Sequence, residues 1–139
     1  MRYMIIVRAT KDSEAGIFPE DDALMASMAT YHEELAKAGV LLEGSGLKPS
    51  SKGWRIRHAA DGRSTVVDGP FAETKELIAG YTVIKVNSRE EALDWSRRFP
   101  RPFELGQDCE IEIRELYELE DFETMGSVQR FRDIGMGSV

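Results

Sequence analysis

Tyr3-Met4-Ile5-Ile6-Val7-Arg8 is an apolar run rich in β-branched residues, with the length of a central strand. Its apolar side chains fall on both parities, Tyr3, Ile5 and Val7 on one and Met4 and Ile6 on the other, so both faces of the strand want covering. The residues that follow supply one cover. Residues 19–38 read as a helix: Pro19, Glu20, Asp21 and Asp22 suit a helix start and its dipole, and Leu24, Met28, Tyr31, Leu35 and Ala38 line one face. Gly39 ends this helix, and Val40-Leu41-Leu42 begins a second strand that runs out near Gly46 and Pro49.

Further along, Trp54, Ile56 and His58 alternate with Arg55 and Arg57, Asp61-Gly62 makes a turn, and Thr65-Val66-Val67 returns, which predicts a β-hairpin over residues 54–68. Residues 80–86 form another strand. Ser88-Arg89-Glu90-Glu91 has the form of a capping box and opens a second helix that buries Ala92, Trp95 and Phe99 and stops at Pro100 and Pro102. Cys109, Ile111 and Ile113 then alternate with Glu110, Glu112 and Arg114 in a last strand, with the cysteine read as a buried strand residue.

In order this is β-α-β, hairpin, β-α-β: an α+β chain on the ferredoxin-like, split βαβ plan with an inserted β-hairpin. Two helices can cover only one face of an antiparallel sheet, so the second face predicts a homodimer. The tail, residues 120–139, has helical spacing at Val128, Phe131 and Ile134 and ends in Gly135-Met136-Gly137-Ser138-Val139, which predicts a short docked helix and a frayed end.

The 139 residues fit one domain, and 42% hydrophobic with 31% charged residues is ordinary for a soluble globular chain. No stretch approaches the roughly 18 apolar residues of a membrane span, which predicts no membrane association of that kind. One arginine precedes the first strand and no small-residue cleavage site follows it, so the start reads as core strand rather than signal peptide and predicts a cytoplasmic protein. A net charge of −7 repels phosphate backbones, which argues against direct nucleic-acid binding. His32 and His58 are far apart and no C-x-x-C, phosphate loop or G-x-S-x-G motif occurs, so neither a metal nor a cofactor is expected.

The densest run of functional groups is Asp68-Gly69-Pro70-Phe71-Ala72-Glu73-Thr74-Lys75-Glu76, more polar chemistry than a chain reversal needs. Together with Ala38-Gly39-Val40-Leu41-Leu42-Glu43-Gly44 and Ala79-Gly80-Tyr81, it resembles the DGPF branch of the YCII-related domain family, a likeness that covers residues 2–119 and sets a domain over residues 1–119. The resemblance implies two sheets paired into a dimeric α/β barrel. It also implies a link to transcription initiation, because similar domains are fused to sigma factors. The activity of the branch is unestablished. The His–Asp pair associated with the other branch does not carry over: that histidine aligns nearer Met28 than His32, and its aspartate has no equivalent after the second strand.

The candidate catalytic residues are Asp68, which can cap its own turn or act as a general base, and His32, at the edge of the first helix's apolar stripe. The candidate ligand-binding residues are Glu43 beside Gly44-Ser45-Gly46, Arg57 in the cluster Arg55, Arg57, His58 and Arg63, and Phe71, Glu73 and Lys75 of the DGPF run. The expected function is binding of a small organic ligand in a cleft, with cofactor-independent acid–base chemistry of an isomerase or lyase on an aromatic or lactone-like metabolite. The alternative is a regulatory or ligand-sensing module that contacts a sigma-factor-related protein.

Overall fold

The computed structural model describes residues 1–137. Its frame is a four-stranded sheet of β1 (Arg2–Arg8), β2 (Leu41–Gly46), β5 (Ile78–Lys85) and β6 (Ile111–Glu115), in the order β2-β5-β1-β6. All neighbouring pairs run antiparallel, and Ile5 lies between Thr82 and Ile113. This α+β arrangement is compatible with the ferredoxin-like plan. β1 is central, hydrogen-bonded to β5 on one side and β6 on the other, and its two parities give each sheet face apolar side chains. The sheet is open, with β2 and β6 at its edges.

One face of the sheet meets α2 (Ala23–Lys37) and α3 (Arg89–Arg98). The core there joins Tyr3, Ile5, Tyr31, Leu35, Val40, Ile84, Val86, Ala92 and Trp95. Ile5, Leu35 and Ile84 are fully buried, each stabilising the fold by about 1.5–3 kcal/mol through removal of apolar surface from water. The register turns Met4, Ile6, Tyr81 and Val83 to the opposite face, where Val83 is buried, Met4, Ile6 and Tyr81 are half-buried, and no helix of the βαβ units lies.

Several local expectations need correction. The long helix starts at Ala23, not near Pro19: residues 20–22 form a bend in which the Asp21 carboxylate accepts the Ala23 N–H at 3.0 Å. A short helix, α1 (Lys11–Glu14), was not anticipated; Thr10 and Ser13 close it with a reciprocal capping box too short to show a periodic pattern. Cys109 lies before β6 rather than in it, half-buried. At α3 the Ser88 hydroxyl accepts the Glu91 N–H at 3.1 Å, as the capping box requires, while the Glu91 carboxylate takes the N–H of Asn87 at 2.9 Å.

The inserted hairpin forms its own two-stranded sheet, β3 (Trp54–His58) with β4 (Ser64–Asp68). A lone hairpin is marginal in water, so its base is tied down. The Gly69 N–H donates to the Gly53 carbonyl at 3.0 Å, and the Phe71 N–H donates to the Ser50 hydroxyl at 3.1 Å. The Ser50 N–H and hydroxyl in turn donate to the Glu14 carboxylate. Beyond β6 the chain forms α4 (Val128–Asp133), which buries Val128 and leaves Phe131 and Ile134 exposed. The frayed end expected at Ser138 and Val139 lies outside the described residues.

Candidate functional site

Alternation along β2 and β5 decides what reaches the sheet face away from α2 and α3, where Val83 is itself buried. Glu43 is opposite Val83 and Ser45 is opposite Tyr81, so both point away from the helices, whereas Gly44 opposite Thr82 points toward them. The Tyr81 hydroxyl donates to Glu43 Oε1 at 2.8 Å. That bond, together with the carboxylate's charge, holds the Tyr81 phenol above its usual range, so it stays a donor. Beside the pair lie the apolar Met4, Ile6 and Val83. Toward β6 the charges are neutralised, Glu112 receiving Arg114 at 3.1 Å and Arg8 at 3.5 Å. Glu43 has no cation within ion-pair distance among the described residues. It is therefore the exposed carboxylate of this face that is available to a ligand.

His32 occupies the other side of the same sheet. Its Nδ1–H donates to the Met28 carbonyl at 2.7 Å, since a carbonyl can only accept, which leaves Nε2 to take the Thr82 hydroxyl at 2.8 Å. Thr82 is 2% exposed. A Cβ on Gly44 would lie 3.4 Å from Nε2, so the small residue read as room for a ligand is filled by the imidazole edge. Both ring nitrogens are thus engaged between α2 and the sheet. Among the described residues no hydrogen bond joins His32 to Asp68, which lies at the end of β4, exposed and opposite Trp54.

Within the DGPF run Gly69 and Phe71 pack against neighbouring segments, while Asp68, Pro70, Ala72, Glu73, Lys75 and Glu76 are exposed. Gly69 is required by close approach, because a Cβ there would lie 1.9 Å from the Ser50 carbonyl oxygen. The Gly69–Pro70 peptide is cis. Phe71 lies under the Arg55 guanidinium, 3.7 Å from the ring centroid, so it is Arg55 and not Arg57 that meets it. Arg57 stands exposed on β3 opposite Thr65. Glu73 precedes the 3₁₀ turn Thr74–Glu76, with both Glu73 and Lys75 exposed. The backbone of Lys75 is what the fold uses: its carbonyl accepts from Arg8, which ties the end of β1 to this turn.

The structure therefore joins Glu43 to a residue that sequence reasoning missed, Tyr81. Their contact depends on the β2–β5 register, which no local pattern reveals. Among the described residues no group of three or more His, Cys, Asp or Glu side chains is placed to hold a metal ion. No helix is long and apolar enough to cross a membrane, among the residues described. The Glu43–Tyr81 pair can accept and return a proton at one carboxylate whose orientation is fixed by one phenol.

Comparison with known proteins places this geometry in context. The sequence model of the YCII-related domain matches residues 1–119. An uncharacterized protein of Rhizobium meliloti (strain 1021) is 38% identical over 78 residues, 56% of this chain and 62% of that protein.

Proposed function

The chain belongs to the YCII-related domain family, and we propose that it binds a small organic ligand on the sheet face away from α2 and α3, between two copies of the chain, with Glu43 as the acid–base group. The observation that carries this reading is the 2.8 Å bond from Tyr81 to Glu43 beside an apolar floor. An apolar surface with one oriented, unneutralised carboxylate suits an enolisable or lactone-like compound. Glu43 would take a proton from a carbon next to the carbonyl and return it to another carbon, an isomerisation that needs no cofactor. Pairing of two such faces in a dimeric α/β barrel would exclude water from the pair and strengthen its electrostatics.

His32 has a positioning role in this reading, fixing the β2 backbone at Gly44 next to Glu43 through Thr82. Arg57 and Asp68 lie exposed on the hairpin, Phe71 ties its base to Ser50 and Arg55, and Glu73 and Lys75 stand exposed beyond it. A second reading, a regulatory module that contacts a protein, draws on the exposed hairpin residues Trp54, Ile56 and Val66.

The test is a thermal-shift screen of lactones, aromatic acids and small enolisable ketones. A compound that stabilises the wild type should lose most of its effect on Glu43→Gln, and Asp68→Asn should respond like the wild type. A compound that stabilises Glu43→Gln as strongly as the wild type would place the ligand elsewhere.

A further inference from the structure

Two rungs of the sheet carry Glu43, Tyr81 and a third polar side chain, Ser45. Across β2, β5 and β1 one rung runs through Glu43, Val83 and Met4, and the next through Ser45, Tyr81 and Ile6. Glu43 and Ser45 are two residues apart on β2, so they point to the same face about 7 Å from each other. The Tyr81 phenol spans that interval: it stands beside Ser45, its register partner, and reaches one rung along to Glu43 Oε1 at 2.8 Å. Ser45 and Glu43 act on this phenol in opposite senses, the Ser45 hydroxyl as a donor to the phenol oxygen and the Glu43 carboxylate as the acceptor of its proton. The three form a directed chain from Ser45 through Tyr81 to Glu43, beside Val83, which is 6% exposed.

The direction of the chain decides what happens when Glu43 changes charge. A hydrogen bond to an ionised carboxylate is roughly twice as strong as one between neutral groups, so the ionised Glu43 holds the phenol proton. Protonation of Glu43 weakens that hold, and the same phenol proton becomes free to meet another acceptor. Proton abstraction by Glu43 creates one at that moment. As a carbon beside a carbonyl loses its proton to Glu43, the C–H electron pair moves toward the carbonyl and leaves negative charge on its oxygen. A donor released only then acts on the transition state rather than on the bound substrate, which is the kind of binding that accelerates a reaction.

We propose that, with Glu43 as the acid–base group on which this rests, Tyr81 is a second catalytic residue that donates a hydrogen bond to the enolate oxygen once Glu43 is protonated, and that Ser45 is the positioning residue that aims the phenol. The step balances without a co-reactant. Glu43 returns its proton to the second carbon of the enolate, whose electron pair forms the new C–H bond, the carbonyl re-forms, and the Tyr81 hydroxyl turns back to Glu43. An enolisable ketone or lactone meets both groups with neighbouring atoms, its carbon at Glu43 and its carbonyl oxygen at Tyr81.

The experiment titrates 4-nitrophenolate, an enolate mimic read by its own absorbance, with Glu43→Gln standing for the protonated carboxyl group. Glu43→Gln should bind it at least about tenfold more tightly than the wild type, whose carboxylate repels the anion and retains the phenol proton. Adding Tyr81→Phe to Glu43→Gln should abolish that gain without moving the melting temperature. Adding Ser45→Ala should remove part of it, Ser45→Thr should restore it, and Asp68→Asn should change nothing. Without ligand, Ser45→Ala in the otherwise wild-type chain should raise the titration of the Tyr81 ring carbon, which a serine with only a structural role would leave in place. Equal affinity of Glu43→Gln and the wild type, binding that survives Tyr81→Phe, or a Tyr81 titration indifferent to Ser45→Ala would overturn the proposal. Neutral ketones test Glu43 apart from Tyr81: one that stabilises the wild type and not Glu43→Gln keeps Glu43 as the acid–base group even where the phenolate shows Tyr81 to be idle.

Discussion

Glu43 and Gly44 are neighbours in the chain and turn to opposite faces of the sheet, so one strand carries both a candidate acid–base group and the seat of His32. The ionised Glu43 opposes deprotonation of Tyr81. Glu43→Gln keeps an acceptor but removes the charge, so the Tyr81 phenol should titrate closer to the ordinary value of about 10, as followed by NMR of its ring carbon. An unchanged titration would mean that the pair does not form. Tyr31 differs in cause, because burial pushes its phenol up to about 12. A raised tyrosine favours the folded state fully below the unfolded value of about 10, and that stability is lost as pH rises toward 12. Denaturant midpoints should therefore fall over pH 10–12, less steeply in Tyr31→Phe. Glu43 was legible because three small residues follow it; Tyr81 was not, because it lies 38 residues away in sequence and only register brings it near.

At the level of elements, two substitutions test the anchoring of helix and hairpin. Ser88→Ala removes the acceptor for the Glu91 N–H and should cost about 1 kcal/mol in denaturant melts. Gly69→Ala forces a methyl into the Ser50 carbonyl and should cost about 1–3 kcal/mol, the range for overpacking, while leaving the four-stranded sheet paired. A neutral Gly69→Ala would show that the hairpin base is not packed as described. Periodicity and capping made β1, the hairpin and α3 readable, because each is specified by neighbours within a few residues. The α2 start was misplaced since Pro19 and three acidic residues look like a first turn, and the Asp21 side chain resolves the choice in favour of a bend. The chemistry of the DGPF run looked like a site, yet its Gly69 and Phe71 contacts run to Ser50, Gly53 and Arg55, which no spacing rule foretells.

For the whole molecule, apolar residues on both parities of β1 predicted a second cover, and the structure leaves Met4, Ile6 and Tyr81 half-buried on the face away from α2 and α3. The proposed partner is a second copy, joined through an interface above about 1,000 Å². Trp54, Ile56 and Val66, at 65, 55 and 66% exposed, form a rival surface on the hairpin. Closure of the Glu43–Tyr81 pair between two sheets is the claim on which the functional reading depends. Sedimentation velocity at micromolar concentration, run on the wild type and on Ile6→Glu, tests it most directly. The account predicts a wild-type species of twice the chain mass that falls to a monomer in Ile6→Glu; a monomeric wild type, or a dimer indifferent to Ile6→Glu, would contradict it.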